Sequence, residues 1–206
     1  MFALSDGDLF TRILGCADGP ASFNAEAMER GCQIVSVDPI YRFSAAQIES
    51  RIKEVAPSIA EQLRRNAAQF SWEFFQSVDA LVAARMGAMS RFLVDYSLPD
   101  GSDRYVAASL PDLPFPDKAF DMALCSHFLF LYSEQFDAAF HVQSVLELVR
   151  TASEVRIFPL LELGSQPSRH LDAVLDALRE RGLAAERVRV GYEFQRGGNE
   201  MLRVTG

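Results

Sequence analysis

Ile13-Leu14-Gly15-Cys16-Ala17-Asp18-Gly19-Pro20 sets the architecture of the chain. Two aliphatic residues run directly into a chain of small ones, which reads as a buried strand ending in a tight turn where a Cβ would obstruct close approach to the backbone. Pro20 suits the first turn of a helix and Gly31 its end. The apolar run Ile34-Val35-Ser36-Val37 follows and stops at Asp38-Pro39. Strand, helix and strand in this order form a crossover unit that joins parallel strands. The open carboxyl end of the first strand is where doubly wound sheets bind ligands.

Beyond that unit the helical period takes over, from Ser44 to about Leu93. Ile48, Ile52, Val55, Ile59 and Leu63 fall on one stripe, and Trp72, Phe75, Leu81, Val82, Met86 and Met89 on a second. Pro57 is expected to split the first stretch into two helices, and Asp95 to Asp103 is expected to be a loop. Strand character returns at Arg104 to Ala108, at Asp121 to Ser126 and at Glu154 to Leu160, with helices over Glu134 to Val149 and Arg169 to Arg181. Val188, Val190, Tyr192 and Phe194 alternate, turn through Gly197-Gly198-Asn199 and return as Met201 to Val204, which predicts a closing hairpin. The expected architecture is α/β: a doubly wound, mostly parallel seven-stranded sheet with an antiparallel C-terminal hairpin. It is read as one domain over residues 1–206, with a helical insertion or lid at 44–97 after the second strand.

Composition narrows the classes of function. The chain has 206 residues, 28 Asp and Glu against 20 Lys and Arg, and a formal net charge of -8. With no long basic cluster, it lacks the concentrated positive charge that a nucleic-acid backbone requires. The start, Met1 to Phe10, carries Asp6 and Asp8 and does not read as a signal peptide, and Met122 to Tyr132 is too short to span a bilayer. A soluble, cytoplasmic monomer or homodimer acting on a small molecule is the expectation. Cys16, Cys32 and Cys125 lack the spacing of a zinc or disulfide framework, so no metal is expected.

In the residues just quoted the chain resembles the class I S-adenosylmethionine-dependent methyltransferases, a Rossmann-like family, in its small-molecule branch. The pieces that match are Ile13 to Gly19, Val35-Ser36-Val37-Asp38, Leu113-Pro114-Phe115-Pro116-Asp117 with Phe120-Asp121, Cys125-Ser126-His127 and the closing hairpin. The resemblance covers most of the chain except roughly 44 to 95. It implies S-adenosylmethionine as cofactor and a methyltransferase activity. Gly15, Cys16, Ala17, Asp18 and Gly19 would take the methionine portion, Asp38 and Pro39 the ribose, Ser109 and Leu110 the adenine. Cys125 and Ser126 would stand beside the reacting methyl, with His127 as the candidate base. Three positions depart from the family pattern: Gly15 stands for an acid, Ala17 for a glycine and Ser109 for an Asp. Asp18 can replace the first if it turns inward.

Each assignment has a plainer counterpart. Asp38 can simply cap a turn before Pro39, and as a ribose acceptor it would serve NAD equally well. His127 can be a packed strand-end histidine. Trp72, Phe75, Met89, Phe92 and Tyr96 are the candidates to line an acceptor pocket under the insertion, but apolar stripes of this kind also pack helices onto a sheet or form a dimer interface. Two other functions therefore stand beside the first: a degenerate methyltransferase-like binding or regulatory protein, and a nicotinamide-dependent reductase. Gly15 and Gly19 do not make the dinucleotide GxGxxG spacing.

Overall fold

The computed structural model describes residues 1–206, apart from the side chain of Ser102. Seven strands form one sheet: β1 (Arg12–Cys16), β2 (Gln33–Val37), β3 (Tyr105–Val106), β4 (Phe120–Ser126), β5 (Ala152–Phe158), β6 (Ala184–Arg189) and β7 (Glu200–Thr205). Their order is β3-β2-β1-β4-β5-β7-β6. The first five are parallel, and β7 runs antiparallel to both of its neighbours. Strand order reverses between β1 and β4, and that reversal opens a crevice at their carboxyl ends.

Both faces of the central strands are covered, which explains their continuous apolar runs. Leu14, Cys16, Ala123, Cys125, Val155 and Ile157 pack on one side with Val145 and Leu148 of α5 (Ala138–Thr151) and Val174 and Leu178 of α6 (Leu171–Glu180). Ile13, Ile34, Met122 and Leu124 face the other side, against Ala27 of α1 (Phe23–Met28). The helix α1 is shorter than the sequence suggests: Pro20 lies in the loop before it, while Gly31, at φ +78, does end it.

The insertion contains α2 (Ala45–Arg65) and α3 (Val78–Tyr96). A reciprocal pair between Ser44 and Gln47 closes the start of α2, and Ser77 caps α3. The expected break at Pro57 does not occur, and α2 runs through it uninterrupted. Pro57 is exposed, so water can take the carbonyl that its missing N–H leaves free, and Ser58 Oγ donates to the carbonyl of Val55 at 2.8 Å. A four-residue helix, α4 (Gly101–Arg104), occupies the end of the expected loop and shortens β3 to two residues.

The closing hairpin is present, but its first strand ends at Arg189, earlier than the alternation predicts. Residues 190–199 leave the sheet, and Tyr192 and Phe194 are loop residues. The loop is clamped to the α2–α3 connection: Ser71 N–H donates to the carbonyl of Phe194 at 2.7 Å and Arg196 N–H to that of Gln69 at 2.9 Å. Phe70 and Phe194 stack with ring centroids 4.7 Å apart. Burial of two aromatic rings against the insertion outweighs continuation of an exposed hairpin, and period-two spacing carries no sign of that partner.

Candidate functional site

The turn after β1 is held by a few directional contacts. Ala17 N–H donates to the carbonyl of Val37 at 2.8 Å, with Ala17 itself in the left-handed region at φ 58. Gly19, also at φ 58, donates its N–H to Asp38 Oδ2 at 2.9 Å. The other oxygen, Oδ1, accepts from Ile40 N–H at 2.9 Å, and the Tyr41 hydroxyl donates to the Gly19 carbonyl at 2.8 Å. Asp38 thus caps the short helical turn of Pro39–Arg42 and fastens the loop after β1 to the end of β2. Burial raises its pKa against the two N–H donors.

Asp18 turns inward. Ser36 Oγ donates to its Oδ2 at 2.6 Å, and Ser36 in turn accepts from Asn24 Nδ2 at 3.1 Å. The carboxylate fills the space beside Gly15, where an added Cβ would overlap Asp18 Oδ2. Burial is the main cause that raises the Asp18 pKa to about 6, with the Asp38 charge acting in the same direction and the Ser36 bond against it.

Two recesses flank the segment from Asp38 to Ile40. The smaller, about 350 Å³, lies over the switch point. It is lined by Cys16 and Ala17 at the end of β1, Val37, Asp38 and Pro39 at the end of β2, Ala108, Ser109 and Leu110 after β3, and His127, Phe128 and Tyr132 after β4. The larger, about 600 Å³, lies between α2 and α3 and is mostly apolar: Ile48, Ile52, Val55 and Ile59 face Val82, Met86 and Met89, with Pro20, Ile40 and Phe43 at one side.

His127 follows β4 in the left-handed region, at φ 53, a strained conformation for a residue with a Cβ. Its N–H donates to the carbonyl of Phe158 at 2.7 Å, and Nδ1 lies 2.7 Å from Ser126 Oγ. The Ser126 hydroxyl donates to the Met1 thioether at 3.0 Å. Burial first, then the positive charges of Arg85 and the Met1 amine, lower the His127 pKa to about 4.

Most of the residues expected to hold a cofactor lie together: Cys16, Ala17, Asp38, Pro39, Ser109 and Leu110 line the smaller recess with His127. Gly15, Asp18 and Gly19 form the turn beneath it. Cys125 is fully buried, paired in register with Cys16, while Ser126 is half-buried beside His127. Of the five residues expected in an acceptor pocket, Met89 lines the larger recess. Trp72 and Phe75 pack with Leu63, Leu81 and Phe194, and Phe92 and Tyr96 with Tyr41 and Tyr105. Sequence reasoning misses Phe128 and Tyr132, which the adjacent His127 marks, and Arg85, which nothing in the helical stripe marks.

No family model matches the chain. It is 34% identical over 205 residues to the uncharacterized protein MJ0045 of Methanocaldococcus jannaschii, covering 98% of this chain and 89% of that protein. Among solved structures it is similar to the magnesium protoporphyrin IX methyltransferase of Synechocystis PCC 6803 with bound SAM, at 11% identity and TM-score 0.50, covering 97% of this chain and 72% of that one. It is also similar to the methyltransferase domain of bacterial CtHen1, at 12% identity and TM-score 0.51, covering 97% and 93%. At these identities the structural likenesses are of fold.

Proposed function

The chain belongs to the same family as MJ0045 of M. jannaschii and has the class I methyltransferase fold, and on that basis we propose that it is an S-adenosylmethionine-dependent methyltransferase acting on a small-molecule acceptor. The observation that carries this reading is the recess over the β1–β4 switch point, lined by Asp38, Ser109, Leu110 and His127.

The residues present fit the cofactor. Asp38 spends one lone pair of each oxygen on the Gly19 and Ile40 amides; a carboxylate has about four such sites, so acceptors remain for the two hydroxyls of a ribose. Nothing stands within 4 Å of the place a Cβ at Gly19 would take, which leaves space beside that carboxylate. Leu110 supplies an apolar surface for the purine, with Ser109 at its edge. When bound, S-adenosylmethionine supplies an electrophilic methyl group on a sulfonium.

His127 then has two tasks at the end of β4. In the tautomer with its proton on Nδ1, the 2.7 Å contact is a bond in which His127 Nδ1–H donates to Ser126 Oγ. Nε2 is left with its lone pair to accept a proton from the acceptor. A pKa near 4 keeps the ring neutral at physiological pH and favours an acceptor that releases its proton as the new bond forms. Alignment in a recess closed to water supplies much of the acceleration in such a displacement. The α2–α3 insertion, with its apolar recess beside Ile40, is suited to cover the site and receive the acceptor. The net charge of -8 argues for a small molecule over a nucleic acid.

Calorimetric titration with S-adenosylhomocysteine tests the proposal, with NADH as the control. Micromolar binding of the first and none of the second is expected. A folded protein that binds neither at millimolar ligand is a binding module on a methyltransferase fold, and the enzyme reading is lost.

A further inference from the structure

The wall of the larger recess carries three polar side chains, Gln47, Arg51 and Arg85, and two of them are already engaged. Gln47 Oε1 accepts from the Ser44 N–H at 2.9 Å as half of the cap of α2. Arg51 pairs with Glu54 at 2.8 Å. Arg85 stands apart from both. Among the described residues no carboxylate pairs with it or bears on its charge, although the chain holds 28 acids against 20 basic residues. What it does face is aromatic: its guanidinium carbon lies 5.9 Å from the centroid of the Phe194 ring.

From this arrangement we propose that the recess between α2 and α3 takes an apolar small molecule bearing a carboxylate, with Arg85 as the residue that anchors the acid. The proposal rests on the methyltransferase reading for the identity of that molecule as the acceptor, but not for its binding. A guanidinium offers a carboxylate two parallel N–H donors, the geometry in which such bonds are strongest. The aliphatic walls, Ile48, Ile52, Val82, Met86 and Met89, supply the surface for the rest of the molecule, and about 600 Å³ is within the usual range for a small-molecule site.

The environment of Arg85 supports the assignment. The side chain is accessible, as a wall residue of an open recess must be, yet the protein around it desolvates the guanidinium enough to lower its pKa. A cation held in that condition gains from an anionic partner more than a fully hydrated one does. Its charge also reaches His127, so the acid-binding end of the recess lies near the proposed methyl-transfer site.

Displacement of the neutral dye N-phenyl-1-naphthylamine tests this, with octanoate and octan-1-ol as competitors of equal chain length. Octanoate is expected to displace the dye at about tenfold lower concentration than octan-1-ol. Arg85→Gln should abolish that preference while leaving dye binding intact, and Arg85→Lys should retain part of it. Met89→Trp, which fills the recess, should weaken the dye and both competitors together. Equal potency of the two competitors, or a preference that survives in Arg85→Gln, overturns the proposal. S-adenosylhomocysteine calorimetry on the same preparations separates the readings: its failure with octanoate selectivity intact removes the methyltransferase and leaves the acid site.

Discussion

The carboxylate of Asp18 occupies the space that a side chain at Gly15 would need, with Oδ2 overlapping the position of a Cβ there. The two positions therefore exclude one another. Gly15→Ala should push Asp18 off Ser36 and cost about 1–3 kcal/mol, the usual range for a broken buried hydrogen bond. Gly15→Ala with Asp18→Ser should recover most of that loss. Urea unfolding of the single and double variants measures the coupling, and additive losses would remove the steric account.

Asp18 also gives stability a particular pH dependence. Its folded-state pKa is raised from 3.8 to about 6, so the folded chain binds this proton more tightly than the unfolded one. Stability from this group is therefore lost as pH rises between about 4 and 6, and the loss above that window is on the order of 3 kcal/mol. Asp18→Asn carries no such proton. Its stability relative to the parent should grow from pH 4 to pH 7 and then level off, and a difference that stays flat over that range would place the carboxylate in water.

His127 should remain neutral far below the range of an ordinary histidine. With the pKa lowered to about 4, its ring resonances should show no titration between pH 8 and 5.5 in an NMR series. Arg85→Gln removes one of the positive charges that depress it, so the midpoint should move up. Burial remains the larger cause, so the midpoint should still lie below 6.5. A His127 that titrates at 6.5 in the parent would end its assignment as a neutral proton acceptor.

The parts of this fold that are legible in the sequence are those with a strong local signal. Met122 to Cys125 are buried without interruption because helices cover both faces of the sheet, and a continuous apolar run reports that condition. Asp38 is legible because it ends an apolar strand. Phe194 is not: its alternation with Tyr192 has the period of a strand, and its true partner, Phe70, is far away in the chain. Trp72 and Phe92 have the size of pocket residues, yet size equally suits a core, and they pack the insertion against Phe194 and against Tyr41 and Tyr105. Arg85 carries no signal at all, since a helix shows which face is polar but not which cation lacks a partner.

Ala17 holds a left-handed conformation at φ 58, which costs a residue with a Cβ about 1–2 kcal/mol. Ala17→Gly relieves that strain and gives back part of the gain through the freer unfolded chain. A net stabilisation of about 0.5–1 kcal/mol is expected in thermal unfolding. Ala17→Val, with a branched Cβ in the same conformation, should destabilise by more than that amount. Equal stability of all three would mean that the loop does not keep this geometry in solution.

Asp38 decides between the two roles its position allows, because capping and ligand binding demand different things of the carboxylate. Its two oxygens each accept one backbone N–H, from Gly19 and from Ile40. Asparagine has one acceptor oxygen, so Asp38→Asn must turn an NH2 group toward one of those amides and lose that bond, at a cost of about 1–2 kcal/mol in stability. Binding of S-adenosylhomocysteine should fall at least about tenfold as well, since the remaining oxygen must serve the amide and the ribose together. The two readouts can separate: a loss of stability with unchanged affinity would make Asp38 a cap alone and move the ribose elsewhere. A loss of both, with Asp38→Ala weaker still in affinity, is the pattern expected of a carboxylate that shapes the loop and holds the ligand with the same two atoms.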